Sequence, residues 1–302
     1  MRALVTGATG LIGSHLVARL QRPRVLVRDP ARALRELGDV DAVAWNAREP
    51  VAVAALDGID TVFHLAGESL VGERLTPARK QIVRDSRVLG TRAVVDAMRA
   101  ASPRPRVLVA ASAIGFYGSR GDEALTEESA QGADFLAVIC REWEEEALAA
   151  RALGVRVVCA RMGIVLARDG GALVPMRSTF RFGVGGPMGS GEQWMSWVHI
   201  DDAVGLLLHA AQESAVDGPM NVCAPTPERN ARFATALGRA MHRPAWLRTP
   251  AAALRLALGE MADVILSSQS VIPAKALATG YTFRFEALDE ALADLSGDNV
   301  NR

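Results

Sequence analysis

The chain of 302 residues is poor in the groups that carry much of enzyme chemistry. It has three cysteines, Cys140, Cys159 and Cys223, and no paired spacing among them. That excludes a disulfide framework or cysteine metal site and fits a reducing compartment, each thiol being a small core group. It has two tyrosines, Tyr117 and Tyr281, and two lysines, Lys80 and Lys275, so almost all positive charge is arginine. No apolar run reaches the length of a membrane span, and no charged-then-apolar leader precedes the first predicted strand. Net charge is absent too, with 34 Lys+Arg against 34 Asp+Glu. Proteins that hold nucleic acid or an acidic membrane surface usually carry a basic excess, so neither partner is expected. No metal cluster emerges: His64 and Glu68 are four apart, but a strand end and a glycine intervene. No GxSxG nucleophile elbow is present. What remains is a cytoplasmic globular protein, 50% hydrophobic, with room for one sizeable core and a smaller lobe.

The opening MRALVTGATGLIG supplies the first positive signal. A short apolar strand runs into Gly7, Gly10 and Gly13, and Leu11, His15, Leu16 and Leu20 follow at helical spacing. Strand, tight glycine turn and helix are the context that a dinucleotide fingerprint requires. Gly7 makes the turn, Gly10 lets backbone approach a pyrophosphate, and Gly13 lets the helix pack on the sheet. The pyrophosphate would rest on free N–H groups at the helix start.

The second strand, RVLVRD, ends at Arg28, where an NAD-binding chain often has an acid for the ribose hydroxyls. A guanidinium there suits a 2′-phosphate, and points to NADP(H). Arg32 faces the same way if Pro30 starts a helix, whereas Asp29 is one place late and points elsewhere. The plainer reading of Arg28 is a solvated charge at a strand end.

Strands are predicted at 2–6, 24–28, 40–45, 59–65, 105–110 and 155–160, with long helices over 77–100 and 135–152. Repeated βα order with strands apolar on both sides predicts an α/β fold, a Rossmann-type doubly wound parallel sheet with a smaller, interleaved C-terminal lobe. The segment 167–193, rich in glycine, reads as loops. Later helices are predicted at 201–212, 227–241, 250–259 and 273–279, a strand at 219–223, and a last amphipathic helix in GYTFRFEALDEALADL. The large domain is assigned 1–165, with 197–212 returning to it; the small lobe takes 166–196 and 213–302.

The remaining blocks permit a family comparison. They are LAGE at 65–68, TPARKQIVRDSRVLGT at 76–91, ASAIGFYG at 111–118, DFLAVICREWE at 134–144 and GVGGPMGSGEQWMSWVHIDD at 183–202. With GATGLIG, the whole length resembles the atypical short-chain dehydrogenase/reductases labelled epimerase family. The resemblance implies the fold of sugar-nucleotide epimerases and dehydratases, with the cofactor across the large domain. It implies a cofactor site of Gly7, Thr9, Gly10, Leu11, Ile12, Gly13, Arg28, Leu65, Ala66, Gly67, Ala111, Met162 and Gly163. A cleft is expected between the large domain and the small lobe, where the carboxyl edges of strands four to six open, with walls at 67–75, 112–117, 134–140, 161–165 and 183–199; the glycines of GVGGPMGSG would let that last wall move. Pairing through the two long helices would make a homodimer, with a monomer the alternative.

Members of the wider superfamily use Tyr and Lys four residues apart, the lysine lowering the tyrosine pKa for proton transfer. Here Gly121 lies four after Tyr117 and Phe285 four after Tyr281. By resemblance the pair falls at Phe135 and Ile139, and the helper hydroxyl at Ala113, next to Ser112. Other groups must then carry any proton. Glu68, after strand four, could hold substrate, accept a proton or cap the next segment. His199, before a helix, is either an acid–base group or a histidine held between lobes. Lys80, Arg84 and Arg87 share a helix and either bind an anionic substrate or form a solvated face with acids such as Asp85. Trp143, Trp194 and Trp197 wall a pocket or fill a lobe interface. The sequence reads as an NADP(H)-dependent oxidoreductase or epimerase-like enzyme of unknown small-molecule substrate, with Glu68, Ser112 or His199 as catalytic candidates. The alternative is a non-catalytic NADP(H)-binding sensor or scaffold.

Overall fold

Short apolar stretches become strands in the computed structural model, which describes residues 1–70 and 74–296. They are β1 (Ala3–Thr6), β2 (Arg24–Val27), β3 (Asp41–Ala44), β4 (Thr61–His64), β5 (Val107–Ala113), β6 (Ala124–Leu125) and β7 (Arg156–Met162). Then come β8 (Ile164–Leu166), β9 (Trp194–Met195), β10 (Trp197–His199), β11 (Gly218–Val222), β12 (Glu228–Arg229) and β13 (Ser270–Val271). Seven of them form one parallel sheet in the order β11-β7-β5-β4-β1-β2-β3. The order reverses between β1 and β4, which opens a crevice at their carboxyl ends. The fold is a Rossmann-type doubly wound α/β sheet.

Alternate residues of these strands enter two cores, as the period of two demands. Val5, Val25, Phe63, Val109 and Val158 share one core with Leu16 and Val17 of α1 (Leu11–Val17). Leu4, Leu26, Val62, Leu108 and Val157 pack on the other face against the far half of a long helix, Pro77–Ala100, through Val94, Val95 and Met98. Helix starts follow their capping residues. Asp29 accepts from Arg32 N before α2 (Pro30–Leu37). Thr76 accepts from Arg79 N before α3 (Pro77–Ala100), and Asp134 from Ala137 N before α4 (Phe135–Leu148). Proline at the first helical position costs nothing there, since its missing N–H would be unpaired anyway.

Two expectations are corrected. The run 167–193 is not all loop, because α5 (Leu173–Arg181) lies inside it and buries Leu173 and Phe180, seven apart. Pro175, in its first turn, and the glycines on both sides masked that period. The segment from 213 onward does not all belong to the smaller lobe. β11 completes the large sheet beside β7, and Ala276 and Phe283 join the same core as α1. α6 (Ile200–Gln212) packs there too, through Ala203, Leu206 and Leu207. The smaller lobe has its own core of Phe180, Trp197, Phe233, Leu237 and Leu292. Its helices are α7 (Asn230–Ala240), α8 (Ala251–Leu258), α9 (Met261–Ile265) and α11 (Leu288–Ser296), with α10 (Ala274–Ala278) beside β11.

Candidate functional site

The glycine loop shows which of its glycines are obligatory. Gly7 has φ +68, and a Cβ on it would lie 2.7 Å from the Leu65 carbonyl carbon. A Cβ on Gly13 would lie 2.1 Å from Gly7 O, so α1 crosses the turn with no space for a side chain. Gly10 N–H donates to Gly7 O at 3.0 Å, and Gly10 caps α1 without a side-chain bond. The N–H groups of Leu11 and Ile12 have no acceptor among the described residues. Thr9 and Gly10 are exposed. The loop is therefore an open cradle of unpaired donors at the positive end of a helix, which fits a pyrophosphate.

Arg28 stands just past β2 and is exposed, with no hydrogen bond or ion pair to the described residues. Its neighbours are engaged: Asp29 caps α2, and Arg32 pairs with Glu36 at 2.7 Å. Across the crevice, Leu65, Ala66 and Gly67 leave β4. Ala66 N–H donates to Thr6 Oγ1 at 3.1 Å, which leaves the Thr6 proton for His64 Nδ1 at 2.8 Å. His64 Nε2–H then donates to Thr91 Oγ1 at 3.0 Å. The ring is fully buried and neutral, and burial lowers its pKa to about 4.

Register places the other expected cofactor residues at the same end of the sheet. Ala111 pairs with Ala160 and Ala113 with Met162, and Gly163 follows β7; Ala111, Met162 and Gly163 are half-buried. Ser112 turns away. Its hydroxyl donates to Glu144 Oε1 at 2.6 Å. Glu144 is held by Arg161 through two bonds of 2.8 Å, and Arg161 Nη1 donates to Tyr117 Oη at 2.9 Å. The Tyr117 hydroxyl donates to Asn221 Oδ1 at 2.7 Å. All five side chains are buried, and burial lifts the Tyr117 phenol to about 12.

His199 also lies elsewhere. It caps α6, with Asp201 N–H donating to Nδ1 at 3.1 Å, and its ring packs 3.9 Å from that of Phe285. Asp294 Oδ2 lies 3.3 Å from Nε2 without the alignment of a hydrogen bond. Burial lowers its pKa despite the nearby acids. Glu68 is the candidate that remains accessible. Its side chain is 44% exposed beside Gly67, 3.5 Å from Arg79. Its backbone N–H donates to Ser86 Oγ, and its carbonyl accepts from Arg87. Residues 71–73 of the expected wall 67–75 lie outside the described residues.

The expected cationic trio is divided. Arg84 pairs with Glu142 at 2.6 Å, Lys80 with Glu260, and only Arg87 backs the Gly67–Glu68 turn, over the Trp143 ring. Lys80 Nζ also stands 4.8 Å from the Phe135 ring at the start of α4, and Ile139 is buried. Cys140 is buried near Gly115, its thiol pushed up to about 12 by burial, as suits a core group. Trp197 and Trp143 are core residues, while Trp194, half-buried, stacks with Arg229 at 4.2 Å and donates to Asp122. Ser196 reaches the site end of β7, where Ile164 N–H donates to its carbonyl. The preceding run 185–191 packs within the smaller lobe, on Phe180, Leu247, Ala231 and Leu266, so its glycines have packing reasons. Surface hollows lined by Arg151, Arg156 and Asp217, and by Arg2, Arg24 and Asp57, lie at the opposite edge of the sheet. Among the described residues no metal-binding group occurs, and no helix is long and apolar enough to cross a membrane.

Sequence reading missed Arg79 beside Glu68, the Thr6–His64–Thr91 chain and the Glu144–Arg161 pair. One signal was available: His64 and Arg161 are polar residues inside apolar strands, which need partners.

A glycine cradle at the switch point of a doubly wound sheet defines a dinucleotide-binding protein of the Rossmann class. Residues 3–223 match the NAD dependent epimerase/dehydratase family, and the chain belongs to that family. Residues 249–295 match a domain of unknown function, DUF1731. The chain is 40% identical over 300 residues to the epimerase family protein SDR39U1 homolog, chloroplastic, of Arabidopsis thaliana, covering 97% of this chain and 86% of that one. It is 36% identical to epimerase family protein YfhF of Bacillus subtilis, covering 99% of each. Its structure is similar to that of human epimerase family protein SDR39U1 with NADPH, with a TM-score of 0.87 and 32% identity over 98% and 99% of the two chains. MoeE5 with UDP-glucuronic acid and NAD, 24% identical over 97% of each chain with a TM-score of 0.79, shares the fold.

Proposed function

We propose that this chain is an NADP(H)-dependent oxidoreductase or epimerase-like enzyme that acts on a small molecule without a Tyr-xxx-Lys pair. The observation that carries the cofactor choice is Arg28, an exposed cation with no acidic partner among the described residues, at the strand end beside the glycine cradle. The acid next to it is consumed as a helix cap. NADPH in the human relative supports the same choice. When bound, the nicotinamide supplies hydride transfer. The loop at Gly7–Gly13 would hold the pyrophosphate, Arg28 the 2′-phosphate, and Leu65–Gly67, Ala111 and Met162–Gly163 would flank the rest. Among Glu68, Ser112 and His199, only Glu68 keeps an accessible group for a proton, because Ser112 is bound to Glu144 and His199 caps α6. That same engagement of Ser112 and His199 favours a second reading, a non-catalytic NADP(H)-binding sensor or scaffold.

Titration of the purified protein with NADPH and NADH tests the cofactor. Arg28→Ala should cost NADPH about 1.5–3 kcal/mol of affinity and leave NADH nearly unchanged; an unaltered preference refutes the assignment. For the chemistry, the NADPH complex is offered pooled metabolites while nicotinamide oxidation and product mass are followed. Saturable turnover that Glu68→Gln abolishes supports the enzyme reading. Tight NADPH binding with no turnover supports the sensor.

A further inference from the structure

Whole-chain neutrality hides a local imbalance. The stretches 170–191 and 229–259 contain eight arginines and His242, but no aspartate or glutamate. Some of these arginines are neutralised from elsewhere: Arg229 by Asp122, Arg232 by Asp289 and Arg255 by Asp263. Arg181, Arg239 and Arg243 are exposed and have no acidic partner among the described residues.

The fold brings those three to one region. Arg181 ends α5 and Arg239 lies in the last turn of α7. Arg243 N–H donates to Gly238 O, and a Cβ on Gly238 would lie 3.4 Å from the Phe180 ring. The loops after these two helices touch: a Cβ on Gly186 would lie 2.3 Å from Leu247 O. On them stand Phe182, 83% exposed, and Trp246, 74% exposed, with Val184 and Leu247 also exposed. Large apolar groups at such exposure lose the benefit of burial unless something covers them.

We propose that this end of the smaller lobe docks on an anionic lipid surface. Phe182, Val184, Trp246 and Leu247 would enter the headgroup–acyl boundary, and Arg181, Arg239 and Arg243 would meet the lipid phosphates and carboxylates. The chemistry favours lipid over nucleic acid. Two of the four apolar groups are aliphatic, which offer no stacking surface to a base but partition well into an acyl boundary, while Trp is at home at that depth. Unpaired cations beside an apolar tip are what adds apolar insertion to attraction for acidic headgroups.

The test is co-sedimentation of the full chain with vesicles of phosphatidylcholine alone or with 30% phosphatidylserine added, at about 50 and 300 mM salt. Binding should need phosphatidylserine and weaken with salt. The triple variant Arg181→Gln/Arg239→Gln/Arg243→Gln should lose roughly fivefold per arginine, on the order of 100-fold in all. Phe182→Ser/Trp246→Ser should also release the protein, and wild type should show a blue-shifted emission on vesicles that Trp246→Phe lacks. All these side chains are exposed, so melting temperature and NADPH affinity should stay as in wild type, which separates lost docking from lost folding. No binding to phosphatidylserine vesicles at the lower salt overturns the proposal. So does binding that survives the triple variant, binding of a mixed-sequence RNA in place of vesicles, or a dimer in sedimentation that Phe182→Ser/Trp246→Ser dissolves.

Discussion

Protonation of one buried histidine should dominate the acid sensitivity of this fold. His64 ends β4 between Thr6 and Thr91 and has no contact with solvent. Both ring nitrogens are used by the neutral form: Nδ1 accepts from Thr6 and Nε2–H donates to Thr91. A second ring proton would turn the Thr6 hydroxyl from donor to acceptor, in a site that burial has made hostile to charge. The folded pKa is therefore about 4, against about 6.5 in the unfolded chain. Because the unfolded state takes up the proton first, stability is fully present above pH 6.5 and falls as pH drops toward 4. The gap of about 2.5 pH units is worth roughly 3 kcal/mol in full, of which about 2 kcal/mol is lost between pH 7 and pH 5.

Urea unfolding at pH 7, 6 and 5 measures this against His64→Gln. The amide can still donate toward Thr91 but cannot be protonated. Its cost, about 1–3 kcal/mol from the lost Thr6 bond, is the same at each pH. Carboxylate titration is common to both proteins and cancels in the difference. Wild type should therefore lose its advantage on acidification, by about 2 kcal/mol at pH 5. Parallel stability curves, or a ring signal of folded His64 titrating near 6.5 by NMR, would refute the reasoning.

Three further outcomes follow from the packing. Glu144→Ala leaves Arg161 buried without its carboxylate, and should cost about 3–5 kcal/mol in denaturant unfolding; a loss under about 1 kcal/mol contradicts the role of that pair. Asp202 accepts from Tyr281 Oη and from the backbone N–H of Arg284 and Phe285. Asp202→Ala should cost about 3 kcal/mol and expose the bonds near 281–285 to protease in the folded protein, which limited proteolysis with mass detection reads directly. Gly13→Ala puts a methyl 2.1 Å from Gly7 O, so NADPH binding by titration should fall at least tenfold while the far sheet edge keeps its hydrogen-exchange protection.

The large sheet was legible because its strands are apolar on both faces and its helices carry their own start signals. Asp29-Pro30, Thr76-Pro77 and Asp134 each sit where the first helical turn begins. The glycine loop was legible for a related reason: its geometry is local, set by Gly7 and Gly13 within one turn. The smaller lobe was harder. α5 carries a proline in its first turn and lies between glycines, so its seven-residue spacing of Leu173 and Phe180 was lost among loop residues. β11 was visible as a strand, but which sheet it joins is decided by β7, nearly sixty residues earlier. No local pattern carries that information.

The three catalytic candidates differ in the direction of their side chains more than in position. Ser112 is one residue from Ala111 and Ala113, yet on a strand one residue is the difference between opposite faces. Its hydroxyl therefore meets Glu144 inside the protein. His199 lies at the right end of a strand, but the next residue begins α6, and a ring at that position satisfies the Asp201 N–H. Both are explained by bonds that the fold itself requires. Glu68 is different in kind. Its backbone is fixed by Ser86 and Arg87, while its carboxylate remains half exposed, with Arg79 at a loose 3.5 Å. A polar side chain on a pinned backbone at the carboxyl edge of the sheet, with a weakly held carboxylate, has what proton transfer needs: a fixed origin and an unspent group. That asymmetry, and not its place in any motif, is the physical ground for testing Glu68 ahead of Ser112 and His199.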